Sequence, residues 1–417
     1  MTEKLIIQGG ESLKGKVEIA GAKNSALPLI AATLLTDGEV LLENVPRLDD
    51  VQTMLEMVRE LGKEVTKVGP GKVRIVGPVS SNKAPAELVR KMRASFLVLA
   101  PLVGRTGSAE VPLPGGCNIG TRPVNLHLEG LKKLGVEINQ DDGKIIARAD
   151  NLSGNDIFLD YPSVGASEQL LMGAVRAKGT TTIYNGAQEP EIRDLALFLG
   201  ELGANISLEG SILKVEGGED FGNAKYEVLS DRIAAGTYMI AGVATGGRVE
   251  VDSVDPPSIK PLSLKLRKAG INVIENESSV KVESTGRPEN LEVITLPFPG
   301  FPTDLQAPIT SMLTMARGKS VVKETVFDSR FGHVAELNKM GADISVANSN
   351  TVFIEGTDSL RGTEVEATDI RAGAALVIAG LAGEGKTEVS GLKHLDRGYS
   401  QLEEQLKKLG AKIERVD

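Results

Sequence analysis

LGKEV at 61–65, LGVEI at 134–138, LGANI at 202–206, AGINV at 269–273, MGADI at 340–344 and LGAKI at 409–413 decide the fold. Each reads as the end of a helix, a glycine, and the opening of a strand. The glycines, Gly62, Gly135, Gly203, Gly270, Gly341 and Gly410, lie 73, 68, 67, 71 and 69 residues apart. A second marker, a glycine running into a strand, recurs as GEVLL, GSAEV, GTTTI, GGRVE, GKSVV and GKTEV. Its glycines, Gly38, Gly107, Gly179, Gly246, Gly318 and Gly385, are spaced by 69, 72, 67, 72 and 67 residues. Two markers keeping one period of roughly 70 residues describe six copies of one supersecondary unit.

Each copy reads as helix, strand, helix, strand, strand. The first helix is apolar nearly all round, as in SALPLIAATLL, SFLVLAPLV, LLMGAV, TYMIAGVA, ITSMLTMA and GAALVIAGLA, and such a helix belongs in a core. The second is amphipathic: Val51, Met54, Leu55 and Val58 share one face of VQTMLEMVRELG, and Leu402, Leu406 and Leu409 do the same in QLEEQLKKLG. The expected class is α/β, with buried helices surrounded by sheet and outer helices. Neither a dinucleotide fingerprint nor a phosphate-binding P-loop follows any strand.

The chain has 417 residues, 41% of them hydrophobic and 25% charged, enough for two cores. Its net charge of -9 is spread along the sequence, with no basic arm or stripe, so nucleic acid is not an expected partner. The longest apolar runs, Ser95 to Leu102 and Ala372 to Leu381, fall short of the ~20 residues that span a bilayer. MTEKLIIQGG lacks a signal-peptide run, and the expected location is the cytoplasm, with no membrane partner. One cysteine and three histidines, His127, His333 and His394, exclude an intrachain disulfide and make a protein-built metal site improbable.

Polar residues collect where packing does not ask for them. The buried helices begin with Lys23 and Asn24, Arg93, Ser167 and Glu168, Asp231 and Arg232, Asp304, then Asp369 and Arg371. Aspartate is a good N-cap, which offers a structural role for Asp231, Asp304 and Asp369. Lys23, Arg93 and Arg371 resist that explanation, because a cation at a helix N-terminus opposes the dipole unless an anion is present. The loop before each amphipathic helix supplies a second ring: PRLDD, PGGCNIGTRP, AQEPEI, DPPSI, FDSRFGH and LKHLDRGYS. Repeat geometry would group these loops, so Cys117, Arg122, Glu189, Arg330 and Arg397 are expected to share a cleft with the helix starts. Cys117 sits in LPGGCNIG, whose glycines suit an exposed loop better than a buried small hydrophobe, and Arg122 would favour its thiolate. Arg330 alone would equally suit a solvated surface.

AGAKNSALP, KMRASF, LPGGCNIGTRPVNLHL, YPSVGA, EPEI, SDRIAAGT, FPTDLQA, DSRFGHVAEL, ATDIRAGAAL and HLDRGYSQLEEQLKKLGA resemble, in order, the motifs of the UDP-N-acetylglucosamine 1-carboxyvinyltransferase family. The resemblance covers essentially the whole chain. The cysteine loop separates it from the related 3-phosphoshikimate 1-carboxyvinyltransferases, and a UDP-sugar-binding paralog without turnover is the other alternative. It implies two inside-out α/β barrel (prism) domains of three units each: residues 21–229, carrying the Cys117 loop, and residues 1–20 with 230–417. The active site would lie in the cleft between them.

The resemblance further implies transfer of the enolpyruvyl group of phosphoenolpyruvate to the sugar 3-hydroxyl of UDP-N-acetylglucosamine, with release of phosphate and no cofactor. Cys117, Asp304, Lys23 and Arg397 would be catalytic, with Asp304 as the base at the 3-hydroxyl and Cys117 as acid or nucleophile. Arg93, Arg330 and Arg371 would complete the electropositive pocket, and Asn24 would face the sugar. Arg122, Pro123, Val124 and Asn125 with Ser163, Val164 and Gly165 would hold uridine and diphosphate. Glu189, Asp231, Val326 and Asp369 are the remaining expected substrate contacts. Fosfomycin would alkylate Cys117. One departure is Asp49 in PRLDD, where the family carries lysine.

Overall fold

The structure is a computed structural model describing residues 3–115, 124–218, 221–284 and 286–417. Its described residues divide into two compact units, one within 21–229 and one formed by the N-terminal segment to Ala20 with Ser230–Asp417. Each has its own hydrophobic core. The six marker glycines that end the amphipathic helices have φ between +82° and +116°, a left-handed conformation that side chains with a Cβ resist. The sequence period is therefore a period of helix terminations.

Every repeat builds one sheet. In the sheet of Thr180–Tyr184, the marker strand lies between Ile212–Glu216, antiparallel, and Asp156–Phe158, parallel, with Asn205–Glu209 outside Ile212–Glu216. The parallel edge strand, which the repeat reading lacked, leads into the buried helix and back to the marker strand, as parallel pairing demands. Four other sheets keep this four-stranded order; that of Ser108–Pro112 has three strands, with Lys83 bridging Glu110 where the fourth would run.

Both chain ends complete these sheets. Lys4–Gln8 pairs with Lys386–Ser390 on one side and Lys412–Val416 on the other, supplying the hairpin strand that the last repeat lacks. Lys14–Glu18 is the parallel edge beside Arg248–Asp252. In the other unit Ala224–Glu227 closes back onto Val40–Glu43.

The apolar helices sit inside. Within the unit containing both termini, Arg232–Ala244, Gln306–Leu313 and Ile370–Ala382 pack on one another, and Arg371 to Leu381 are buried throughout. The outer helices bury the predicted faces, including Val51, Met54, Leu55 and Val58 of Asp49–Glu60. Among the described residues, no helix is long and apolar enough to cross a membrane.

Candidate active site

Cys117, Arg122 and Pro123 lie outside the described residues. Within the 21–229 unit, Lys23 opens the helix Lys23–Ala32 and its Nζ donates to Asp50 Oδ2 at 3.2 Å. Asp50 is buried at the start of the outer helix, and Asp49 beside it is exposed. The anion that a cation at a helix N-terminus requires thus comes from the chain itself. Ser25, in the first turn of the same helix, hydrogen-bonds the buried Asp194, which also accepts from Tyr226 Oη at 2.7 Å. Asn24 lies between these two anchored residues and is half-buried.

Three further segments meet around His127. Gly165 lies close against His127: a Cβ there would stand 3.1 Å from His127 Cε1. Phe96, in the turn of helix opened by Arg93, meets the other side of that imidazole edge-on, ring centroids 5.6 Å apart. The Arg93 turn, the helix Asn125–Lys133 preceded by Val124, and the Ser163–Gly165 helix start are therefore packed together. Ser163 caps its helix, accepting from Ala166 N at 3.4 Å. Glu189 precedes the helix Pro190–Leu202 near Glu168. Burial, reinforced by Glu191 and Glu189, raises the Glu168 carboxyl well above the usual range.

The other unit carries the densest charge arrangement. Asp231 and Asp369 are N-caps: Asp231 Oδ1 accepts from the backbone N–H groups of Ile233 and Ala234 at 2.8 and 2.9 Å. Asp369 does the same for Arg371 and Ala372 at 2.8 and 3.0 Å. Asp304 does not cap. It sits inside the short turn Thr303–Leu305, and its two oxygens receive Arg330 Nη2 at 2.6 Å and Arg371 Nη2 at 2.7 Å. Both arginine side chains are 5% exposed and Asp304 is 23% exposed. Burial alone would push the Asp304 carboxyl up; the guanidiniums of Arg371 and Arg330 outweigh it and hold it well below the usual carboxylate range. Arg330 is accordingly no solvated surface residue.

Neighbours fix this arrangement. Arg371 lies over the Tyr399 ring at 5.2 Å, and the Tyr399 hydroxyl shares a 3.0 Å hydrogen bond with Thr237. Gly398 approaches Ile370 so closely that a Cβ would fall 2.3 Å from its Cγ2, which draws the turn bearing Arg397 against the Asp369–Arg371 helix start. Arg415 on the last strand grips Asp396, next to Arg397, through Nη1 at 3.0 Å and Nη2 at 2.7 Å. His333, buried below Arg330, is pushed down to about 4 by burial, with Asp369 opposing and Arg330 adding to the shift.

The site residues that sequence reasoning passed over are supporting ones: His127, Asp194, Thr303, Glu324, Tyr399 and Arg415. Only Glu324, a lone acid closing a marker strand in KSVVKE, left a visible signal.

Residues 7–406 match the family model described as EPSP synthase (3-phosphoshikimate 1-carboxyvinyltransferase). The chain is 51% identical to UDP-N-acetylglucosamine 1-carboxyvinyltransferase 2 of Carboxydothermus hydrogenoformans over 99% of both chains. It is 46% identical to UDP-N-acetylglucosamine 1-carboxyvinyltransferase 1 of Caldanaerobacter subterraneus subsp. tengcongensis over 100% of both. Among solved structures, the enolpyruvyl transferase NikO from Streptomyces tendae superposes with a TM-score of 0.90 at 25% identity, covering 100% of this chain and 99% of that one. EPSP synthase from Acinetobacter baumannii shares the fold, with a TM-score of 0.76 at 19% identity and full coverage of both chains. With a family model spanning nearly its whole length and relatives this similar end to end, the chain belongs to the enolpyruvyl transferases, in the family of UDP-N-acetylglucosamine 1-carboxyvinyltransferases.

Proposed function

We propose that the chain transfers the enolpyruvyl group of phosphoenolpyruvate to the 3-hydroxyl of UDP-N-acetylglucosamine and releases phosphate, the first committed step of peptidoglycan precursor synthesis in the cytoplasm. The observation that carries the chemistry is the ionised Asp304 held between Arg330 and Arg371. Addition of the hydroxyl follows protonation of the C3 methylene, which builds positive charge at C2 of phosphoenolpyruvate. A fixed carboxylate stabilises that charge and accepts the hydroxyl proton, and loss of a C3 proton with cleavage of the C2–O bond to phosphate then restores the alkene. Two guanidiniums make it a weak base at rest, so proton acceptance is timed to the moment when the hydroxyl becomes acidic through bond formation to C2.

Lys23, Arg93, Arg397 and Arg122 are assigned to the phosphate and carboxylate of phosphoenolpyruvate, whose triple negative charge calls for several cations. The packed starts of 124–125 and 163–165 are assigned, with Pro123, to uridine and diphosphate; Asn24, Asp231, Val326 and Asp369 to the sugar nucleotide; and Glu189 to substrate contact. Cys117 protonates C3 or adds to C2, and its thiol is the proposed target of fosfomycin. The site is proposed to draw on both units, which close on the sugar nucleotide before phosphoenolpyruvate enters.

The test is phosphate release from phosphoenolpyruvate with each of two acceptors. Release with UDP-N-acetylglucosamine and none with shikimate 3-phosphate is expected. Faster release with shikimate 3-phosphate overturns the acceptor assignment, and tight nucleotide binding without release overturns the reaction.

A further inference from the structure

One buried carboxylate outside the residues assigned above gathers more partners than a turn requires. Glu324 follows the strand Lys319–Lys323 and is 1% exposed. Its Oε1 accepts from Thr295 Oγ1 at 2.7 Å, from Val326 N at 2.7 Å and from Phe327 N at 3.2 Å. Its Oε2 accepts from Thr303 Oγ1 at 2.8 Å. Thr303 in turn receives Arg330 Nη1 at 2.6 Å, while Arg330 Nη2 reaches Asp304. A guanidinium can only donate and an ionised carboxylate can only accept, so the hydroxyl between them has its proton committed to Glu324 and its lone pairs to Arg330. The direction of every hydrogen bond from Asp304 to Glu324 is thereby fixed.

We propose that Glu324 is a positioning residue for the transfer reaction: through Thr303 it sets the rotation of the Arg330 fork and so the strength with which Arg330 holds Asp304. This rests on the function proposed above. Glu324 also binds the N–H of Val326, an assigned substrate contact, so one carboxylate places the base and the adjoining loop. A fork donating to two acceptors on adjacent residues of one turn cannot rotate without losing one of them, which is the geometric preorganisation that a reactive carboxylate needs.

The test separates relay from scaffold. In Glu324→Gln the remaining carbonyl oxygen can keep the two backbone N–H bonds, but the amide nitrogen cannot accept from Thr303. Thr303→Val removes the hydroxyl at nearly constant shape, and Thr303→Ser restores it. Turnover in Glu324→Gln and Thr303→Val is expected to fall at least about tenfold, with KM for the sugar nucleotide within about threefold of wild type. Thr303→Ser is expected to stay within about threefold of wild type in both.

A second readout does not depend on turnover. With aspartate labelled with 13C at the side-chain carboxyl and Asp304→Asn as assignment control, the Asp304 resonance is followed against pH. Its surroundings are Arg330 and Arg371 in contact, Asp231 and Asp369 at neighbouring helix starts, His333, Tyr399 beside Arg371, and Glu324 behind Thr303. Wild-type Asp304 is expected to stay ionised throughout the folded range, and its midpoint to rise in Glu324→Gln and Thr303→Val but not in Thr303→Ser. An Asp304 titration unchanged in the first two variants overturns the proposal, whatever turnover does. Absence of turnover in wild type overturns the proposed function instead, and the titration still decides the relay.

Discussion

Replacing Asp304 by Asn tests whether the two arginines are held by charge or by shape. Asparagine keeps one acceptor oxygen, which can serve Arg330 or Arg371, and presents an NH2 to the other. Two guanidiniums, each 5% exposed, then lose the carboxylate they share. At an effective dielectric of about 20, a unit-charge pair at roughly 4 Å is worth about 4 kcal/mol, and breaking a buried pair costs about 3–5 kcal/mol. Because Asp304 is 23% exposed, water screens part of that, and the expected loss is about 2–3 kcal/mol. Arg371→Gln is expected to cost a similar amount, since it leaves Asp304 with one partner. The double variant removes the pair together, so its loss is expected to fall short of the sum of the singles by about 2 kcal/mol. Urea unfolding followed by circular dichroism measures all four proteins, and if the two units unfold in separate steps only one midpoint moves. Losses that add within about 0.5 kcal/mol would refute a coupled Asp304–Arg371 pair.

The other predictions concern the rest of the site. Arg397→Lys keeps charge but loses the planar fork, so turnover is expected to drop at least about tenfold while sugar-nucleotide affinity by calorimetry barely moves. Arg415→Gln releases Asp396 and is expected to lower kcat/KM for phosphoenolpyruvate through the neighbouring Arg397, with the nucleotide affinity again the control. His333 is pushed from 6.5 to about 4 by burial, so between those values the unfolded chain binds a proton that the native chain does not. Stability is therefore expected to rise with pH across that window by up to about 3 kcal/mol, and His333→Gln to flatten the rise in urea midpoints between pH 4.5 and 7. Cys117→Asp can still donate a proton but cannot form a thioether; retained turnover with no fosfomycin adduct by mass spectrometry would assign proton donation as the essential role.

The periodic features were legible in the sequence because they are local. A left-handed helix end favours glycine wherever it occurs, and all six marker glycines have positive φ. The apolar helices could be placed inside because no face of ALVIAGLA or LLMGAV is fit for water. The parallel edge strands were not legible: Asp156–Phe158 and Glu364–Glu366 are 3 residues each, too short to carry an alternation. Nor was the pairing of Lys4–Gln8 between two strands from the far end of the chain, since register across such a separation is set by the closure of the unit. Site residues with unusual chemistry, such as Arg371 or Asp304, stood out against apolar helices. Their supports did not, because Thr303, Glu324 and Tyr399 are ordinary residue types whose importance lies only in whom they touch.

The repeat itself explains how one aspartate comes to pair with arginines and not with backbone N–H groups. Ser230-Asp231, Thr303-Asp304 and Thr368-Asp369 stand at matching points of three repeats, each where an edge strand turns into a buried helix. At two of them the aspartate occupies the N-cap, and its Oδ1 accepts from two backbone N–H groups. At the third the chain enters through the tight turn Thr303–Leu305, which moves the cap position back to Pro302 and leaves Asp304 as the second residue of that turn. Its two oxygens receive side chains instead, and Arg371 comes from the helix that Asp369 caps. A single local change from α-helical to tight-turn entry thus distinguishes Asp304 from the two capping aspartates and lets it pair with guanidiniums. Arg330, delivered by a loop of the same repeat as Asp304, supplies the second guanidinium, and Thr303 of the turn itself receives the other end of its fork.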